Sequence, residues 1–288
     1  MEPYGIYRGY QGLIDGDIKP LDSRSVGGII HRGGTMLKST RCEEIRDQPG
    51  LRKAYEQLAE RNIEWLVIIG GDGSFRAGAS LAKMGTKIIG IPASIDNDIY
   101  GTDETIGFDT AMDVSIDAID KIRDTSNSFE RIFLIEIMGR KRGFLTIAVG
   151  LASGAEQAII PEIGFEPDKL CREILEDRAR GKNSAIVVFA EGAGDVYEAA
   201  DMIQEKTGIP TRASSLGYIQ RGGRPSGKSR TLACYFALRA ISLIENNTKD
   251  QLVVKDKNNI SNISLEEAVK GKKEIDADAY HLIRKLSF

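Results

Sequence analysis

The sequence predicts an α/β protein of two domains with mostly parallel sheets, and three observations carry that reading. Short apolar runs alternate with amphipathic stretches from about Asn62 to Ile244, the pattern of repeated βα units. Two Gly- and Asp-rich segments, Gly70-Gly71-Asp72-Gly73-Ser74 and Pro92-Ala93-Ser94-Ile95-Asp96-Asn97-Asp98, each directly follow such a run. Both then leave the C-terminal edge of one parallel sheet, where open α/β folds hold their ligands, so three carboxylates converge on one crevice. At 288 residues, 41% hydrophobic and 28% charged, the chain is long enough for one large core or two moderate ones.

Taken in order, the first sixty residues stand outside the βα rhythm. Gly5 to Gly12 and Gly27 to Gly34 are Gly-rich, and no leading βα unit precedes them. The run Trp65-Leu66-Val67-Ile68-Ile69 reads as a buried strand over 64–69, and a helix over 74–84 follows its glycine turn. Ile88-Ile89-Gly90-Ile91 reads as a second buried strand over 87–91, followed by a helix over 105–123. Four more strands are expected over 131–137, 157–160, 184–190 and 211–216, with helices over 142–153, 167–180, 195–206 and 229–244. The stretch from Asn246 to Lys273 is polar and Lys-rich, with one short apolar run at Leu252 to Val254, and reads as peripheral; a last helix spans about Asp276 to Leu286.

Composition narrows the function. A net charge of −3 argues against nucleic acid as a partner, although local basic clusters can bind small phosphorylated ligands. Cys42, Cys171 and Cys234 are an odd number without a CxxC spacing, and only His31 and His281 could join them. Neither a disulfide framework nor a zinc site follows, and a reducing cytoplasm fits best. No run approaches the roughly 18 apolar residues of a membrane span, and the opening Met1-Glu2-Pro3-Tyr4 is no secretory signal.

The motifs point to phosphoryl transfer. In Gly70–Ser74, glycines let backbone approach phosphate, a helix start offers free N–H groups, and Asp72 can hold Mg²⁺; a plain capped βα turn reads the same way. Asp96 and Asp98 can divide labour, one accepting a proton from an attacking hydroxyl and the other contacting the metal, while Asp-Asn-Asp is also a good surface turn. Arg131, Arg140, Arg142, Arg212 and Arg221 sit at or just past strand ends, where guanidinium groups can bind phosphate oxygens. Gly222 to Ser229 matches G-x-x-x-x-G-K-[ST]. Its context argues against a nucleotide loop, because Tyr218 to Arg221 separates it from the preceding strand.

The chain resembles the bacterial-type ATP-dependent 6-phosphofructokinases over nearly its whole length. The likeness runs through Gly9-Tyr10, His31-Arg32-Gly33-Gly34-Thr35, GGDGS at 70–74, SIDNDI at 94–99, GTDETIGFDTA at 101–111, RDTS at 123–126, MGR at 138–140, Glu191 and IQRGG at 219–223. The resemblance implies two Rossmann-like three-layer α/β domains, an ATP-binding one over 1–107 plus 220–270 and a fructose-6-phosphate-binding one over 108–219 plus 271–288. By it, Asp96 is the base for the sugar 1-hydroxyl, Ser94 and Arg140 stabilise the transferring group, and Asp72 and Asp98 serve Mg²⁺. Ser94, Asp96, Asp98, Met138, Gly139, Arg140, Glu191, Tyr218 and Arg221 contact the sugar phosphate, and Arg131 and Arg212 reach it from a neighbouring subunit. Arg41, Cys42, Gly71, Asp72, Gly73 and Ser74 contact ATP, and the implied assembly is a homotetramer in the cytoplasm.

The resemblance also separates this chain from some relatives. Those that use pyrophosphate carry Asp where it has Gly73 and Lys where it has Ala93, so both positions read as ATP-type. Tyr218 stands in place of a histidine, which removes a positive charge from the 6-phosphate and implies weaker substrate affinity. Arg123, Glu156, Arg180 and Lys182 match effector contacts but Ser23 and Gly28 do not, so impaired effector responses are expected. The family's N-terminal strand and its Gly-Gly-Asp-x-Pro-Gly-x-Asn loop have no counterpart in these residues. The alternative expectation is therefore a truncated homologue that binds sugar phosphate without turnover.

Overall fold

The computed structural model describes residues 1–287. It divides into two compact units: Met1–Ser94, Ile99–Gly107 and Gly223–Lys273 form the first; Ile95–Asp98, Phe108–Gly222 and the chain from Glu274 form the second.

The first unit is built on strands β3 (Trp65–Gly70), β4 (Lys87–Ser94), β10 (Gln251–Asp256) and β11 (Asn259–Ser264), in the order β11-β10-β4-β3. β3 and β10 run parallel to β4, β11 returns antiparallel, and the short β5 (Ile106–Gly107) pairs with the end of β4. One face packs Leu66, Ile68, Ile88, Leu252 and Val254 against α1 (Gly9–Asp15), α2 (Gln48–Glu60), α3 (Asp72–Lys83) and α9 (Leu265–Lys270). On the other face α8 (Gly227–Glu245) lays Leu232, Phe236, Ala240 and Leu243 on Ile89, Ile91 and Val253. β4 is therefore apolar on both sides, as a central parallel strand should be.

Two expectations are corrected in this unit. β3 is an edge strand in which only Leu66 and Ile68 are buried, while Val67 is 39% and Ile69 64% exposed, so its apolar run is half-buried. The stretch around Leu252 is not peripheral: Leu252, Val253 and Val254 are fully buried because β10 fills a place inside the sheet beside β4. The polar residues around it belong to the turns and the outer strand β11. Residues 4–20, outside the βα rhythm, form an antiparallel pair, β1 (Tyr4–Ile6) and β2 (Ile18–Pro20), with α1 between them.

The second unit is a four-stranded parallel sheet in the order β7-β8-β6-β9, from β6 (Ile132–Ile137), β7 (Gln157–Ile159), β8 (Ala185–Ala190) and β9 (Thr211–Ser215). Helices α4 (Phe108–Phe129), α5 (Phe144–Ser153) and α10 (Ala277–Leu286) cover one face, burying Ile119, Leu145 and Ile283 against Ile135, Ile137 and Val188. Helices α6 (Pro167–Ala179) and α7 (Val196–Thr207) cover the other, with Leu170, Ile174 and Ile203 against Leu134, Val187 and Phe189. This is a three-layer α/β unit whose β8 reads as a continuous apolar run, and β6 as one broken only at Glu136, because both faces are covered.

No helix among the described residues is long and apolar enough to cross a membrane.

Candidate active site

In the first unit, β4 ends at Ser94 and α3 begins at Asp72, two residues earlier than the sequence pattern suggests. Gly71 is the N-cap in extended conformation, so Asp72, Gly73 and Ser74 form the first helical turn. The N–H groups of Asp72 and Gly73 lie at the positive end of the helix dipole, which suits an anion, while the Ser74 N–H is donated to the Gly71 carbonyl at 3.0 Å. A Cβ placed on Gly71 would lie 3.8 Å from that of Ser94, and one on Gly73 would meet nothing within 4 Å. Open space therefore lies in front of Gly73. The Asp72 carboxylate accepts a hydrogen bond from Arg76 Nε at 2.8 Å, one helical turn on. Arg41 and Cys42 precede the short 3-10 turn Glu44–Arg46, with Cys42 packed partly against the core below α2.

The second unit holds Met138, Gly139, Arg140 and Glu191 at the C-terminal edge of its sheet, directly after β6 and β8. Asp96 lies in the loop Ile95–Asp98 and is only 7% exposed, with Arg140 Nε 3.5 Å from Oδ2. Burial pushes the Asp96 carboxyl above its ordinary value and the Asp98 carboxylate adds to this; Arg140 pulls it back, Glu191 raises it and Arg221 lowers it. A buried carboxylate held ionisable by two arginines is the electrostatic profile of a general base. Arg140 follows β6 in a left-handed turn, φ 54°, after Gly139 at φ 148°. A Cβ on Gly139 would stand 2.5 Å from the Arg142 carbonyl oxygen, so this turn requires glycine. Glu191, just after β8, accepts from the N–H groups of Gly139 (3.1 Å) and Arg140 (2.5 Å). Arg221 stacks over the ring of Tyr218, 5.3 Å from its centroid, and Tyr218 is 80% exposed.

The five arginines grouped by sequence are not one set. Arg131 precedes β6 and Arg212 is the second residue of β9, so both stand at the N-terminal edge of the sheet. The six residues of β6 separate that edge from Met138, about 20 Å of strand. Sequence periodicity shows that an arginine lies at a strand end without showing which end. Arg131 lies over the Phe129 ring and Arg212 donates to the Thr211 carbonyl at 2.8 Å. Arg142 is 3.3 Å from the Glu162 carboxylate, which also receives the Gly143 N–H, so it supports the loop.

Of the effector set, Arg123 and Lys182 both meet the buried Glu156, at 3.7 Å and 3.0 Å, while Arg180 caps the C-terminus of α6. The nucleotide-loop match at Gly222–Ser229 is a capped helix start. Ser226 Oγ accepts the Ser229 N–H at 3.1 Å, and Lys228 pairs with Glu104 at 2.9 Å, a carboxylate that Lys255 also holds. Among the described residues there is no cluster of three or more His, Cys, Asp or Glu able to hold a metal by protein ligands alone. A cation that arrives on substrate phosphates needs only one or two protein carboxylates to complete its shell. Sequence reasoning missed Gln220, which is buried within the Gly217–Arg221 turn and accepts the Met138 N–H at 3.1 Å. Its sequence signal is its place beside Arg221 within the IQRGG stretch at 219–223.

Comparison with known proteins agrees with this geometry. The chain is 46% identical over 287 residues to an ATP-dependent 6-phosphofructokinase of Halalkalibacterium halodurans, covering 100% of this chain and 90% of that protein. Its fold matches a phosphofructokinase from Saccharomyces cerevisiae with TM-score 0.85 and 31% identity over 93% of this chain, and one from Pichia pastoris in the T-state with TM-score 0.88 and 31% identity over 99%. The chain spans 41% and 33%, respectively, of those two yeast chains. Residues 1–244 match the Phosphofructokinase family model, and on that match, the near-full-length identity and the shared fold, the chain belongs to the phosphofructokinase family.

Proposed function

We propose that this chain transfers the γ-phosphoryl group of ATP to the 1-hydroxyl of D-fructose 6-phosphate, giving fructose 1,6-bisphosphate. The observation that carries this reading is the buried Asp96 carboxyl beside Arg140, in a chain 46% identical to an ATP-dependent 6-phosphofructokinase. Asp96 takes the proton as the hydroxyl attacks phosphorus, and Arg140 with the Ser94 hydroxyl balances charge on the group in flight; alignment and electrostatics supply most of the catalysis. Met138, Gly139, Glu191, Tyr218 and Arg221 orient the sugar phosphate, with Asp98 close to the base.

Arg41, Cys42, Gly71, Gly73 and Ser74 contact ATP, and the open space before Gly73 accommodates a nucleotide where Asp would add bulk and charge. Asp72 and Asp98 would hold Mg²⁺, which when bound neutralises phosphate charge. The reading takes the active form to be a cytoplasmic homotetramer, with Arg131 and Arg212 serving a neighbour's substrate. Their place at the sheet edge opposite Met138 and Glu191 supports that role. Arg123, Glu156, Arg180 and Lys182 would form the effector site, and because Glu156 is already engaged by two cations, weak responses to effectors follow.

A coupled assay for fructose 1,6-bisphosphate with MgATP tests the reading. No product from a folded preparation at any ATP concentration would overturn it, whereas product from pyrophosphate alone would overturn the choice of donor.

A further inference from the structure

The Met138–Arg140 loop carries three successive backbone N–H groups whose acceptors all come from two distant side chains. Glu191 Oε1 takes those of Gly139 and Arg140, and Gln220 Oε1 takes that of Met138 at 3.1 Å. Gln220 is 1% exposed, although its neighbours Tyr218, Ile219 and Arg221 are all exposed. Its other end, Nε2, donates to the Gly217 carbonyl at 3.1 Å and so closes the turn that carries Tyr218 and Arg221. The amide orientation is dictated by its partners, an N–H at one end and a C=O at the other. Ser115 Oγ lies 3.3 Å from Gln220 Oε1, but its single proton is better placed for the Ala111 carbonyl at 2.8 Å. The bond to Met138 is therefore the dominant one at that oxygen.

We infer that Gln220 is a positioning residue: one buried amide ties the loop bearing Met138, Gly139 and Arg140 to the turn bearing Tyr218 and Arg221, so that these substrate-reading groups are set as one unit. Gln220 touches no reacting atom. Only a side chain with an acceptor at one end and a donor at the other does this; a carboxylate lacks the donor and a thioether offers only a weak acceptor. The inference rests on the phosphofructokinase reading given above.

Two variants test it, Gln220→Met and Gln220→Glu, with steady-state kinetics and amide hydrogen exchange on the full chain. Gln220→Met leaves the Met138 N–H without its partner in a buried position, so KM for fructose 6-phosphate should rise about tenfold. KM for ATP should change less than twofold. Exchange over 138–140 should quicken about tenfold while β8 stays protected. In Gln220→Glu the buried carboxyl regains a donor when protonated, so its KM defect relative to wild type at the same pH should shrink as the pH is lowered. Equal rises in both KM values, or a Met138 amide as protected as in wild type, would overturn the assignment. Absence of turnover in the wild type would refute the functional reading instead, and the exchange comparison would still decide whether Gln220 holds the loop.

Discussion

Replacing Asp96 by Asn separates its chemical role from its structural one. The variant keeps the shape of the side chain and removes the charge. As the base for the attacking hydroxyl, Asp96 should contribute roughly 10²–10⁴ in kcat, equivalent to about 3–5 kcal/mol of barrier. The stability effect runs the other way. Its ion pair with Arg140 spans 3.5 Å, but the Arg140 side chain is 70% exposed, so losing the pair costs at most about 1 kcal/mol. Against that, burial raises the carboxyl above its ordinary value. A group so shifted favours the folded state while protonated, and that contribution disappears as the pH rises through the folded value. At neutral pH the ionised Asp96 therefore opposes folding, and Asn relieves it. Differential scanning calorimetry should show Tm unchanged or higher, a 1 kcal/mol change corresponding to roughly 2–4 °C in a chain of this size. In the wild type, kcat should fall as the pH drops through the raised Asp96 value, and the variant should lack that limb. Retained turnover, or a Tm several degrees lower, would refute the argument.

Five further outcomes follow from the same geometry. Glu191→Gln removes a charge that raises Asp96, so the acid limb of kcat should move to lower pH; Arg221→Met removes one that lowers it and should move the limb up, both read from pH–rate profiles. Gly73→Asp enters open space and should leave Tm nearly unchanged, while charge repulsion of the triphosphate raises KM for ATP at least about tenfold, on the order of 1.4 kcal/mol. Lys228→Ala should change kcat and both KM values less than about twofold and cost under about 1 kcal/mol in urea titrations, because Lys255 still holds Glu104. Leu252→Ala, by contrast, opens a cavity at a fully buried position and should cost about 2–5 kcal/mol in the same titrations.

The βα units of both sheets were legible because their strands are bounded by glycine turns and their helices show a clear amphipathic period. What the sequence could not show was where a strand sits. The run Trp65–Ile69 resembles Ile88–Ile91 in hydrophobicity, yet β4 is central and β3 is an edge, a difference set by neighbours elsewhere in the chain. Leu252 to Val254 was hidden for the converse reason, as three apolar residues among lysines and asparagines that are buried only because β4 offers them a place. Within the candidate site, Asp96, Arg140 and Glu191 stand out by residue type and by resemblance. Gln220 does not, because its contribution is a pair of hydrogen bonds that depend on how the Gly217–Arg221 turn packs against the loop at Met138.

The place of β10 beside β4 has a consequence for the order of assembly. Leu252 pairs with Gly90, so at ordinary elongation rates of about 5–20 residues per second, β4 waits on the order of ten to thirty seconds for its neighbour to be made. The block Phe108–Gly222 of the second unit is contiguous, and can collapse in that interval. The first unit must instead keep Ile89 and Ile91 uncovered until α8 emerges, and its sheet open until β10 follows. For that time the nascent chain presents an apolar face and a free edge to its surroundings, so heat or slowed translation should act first on folding yield, before any loss of stability in the finished protein.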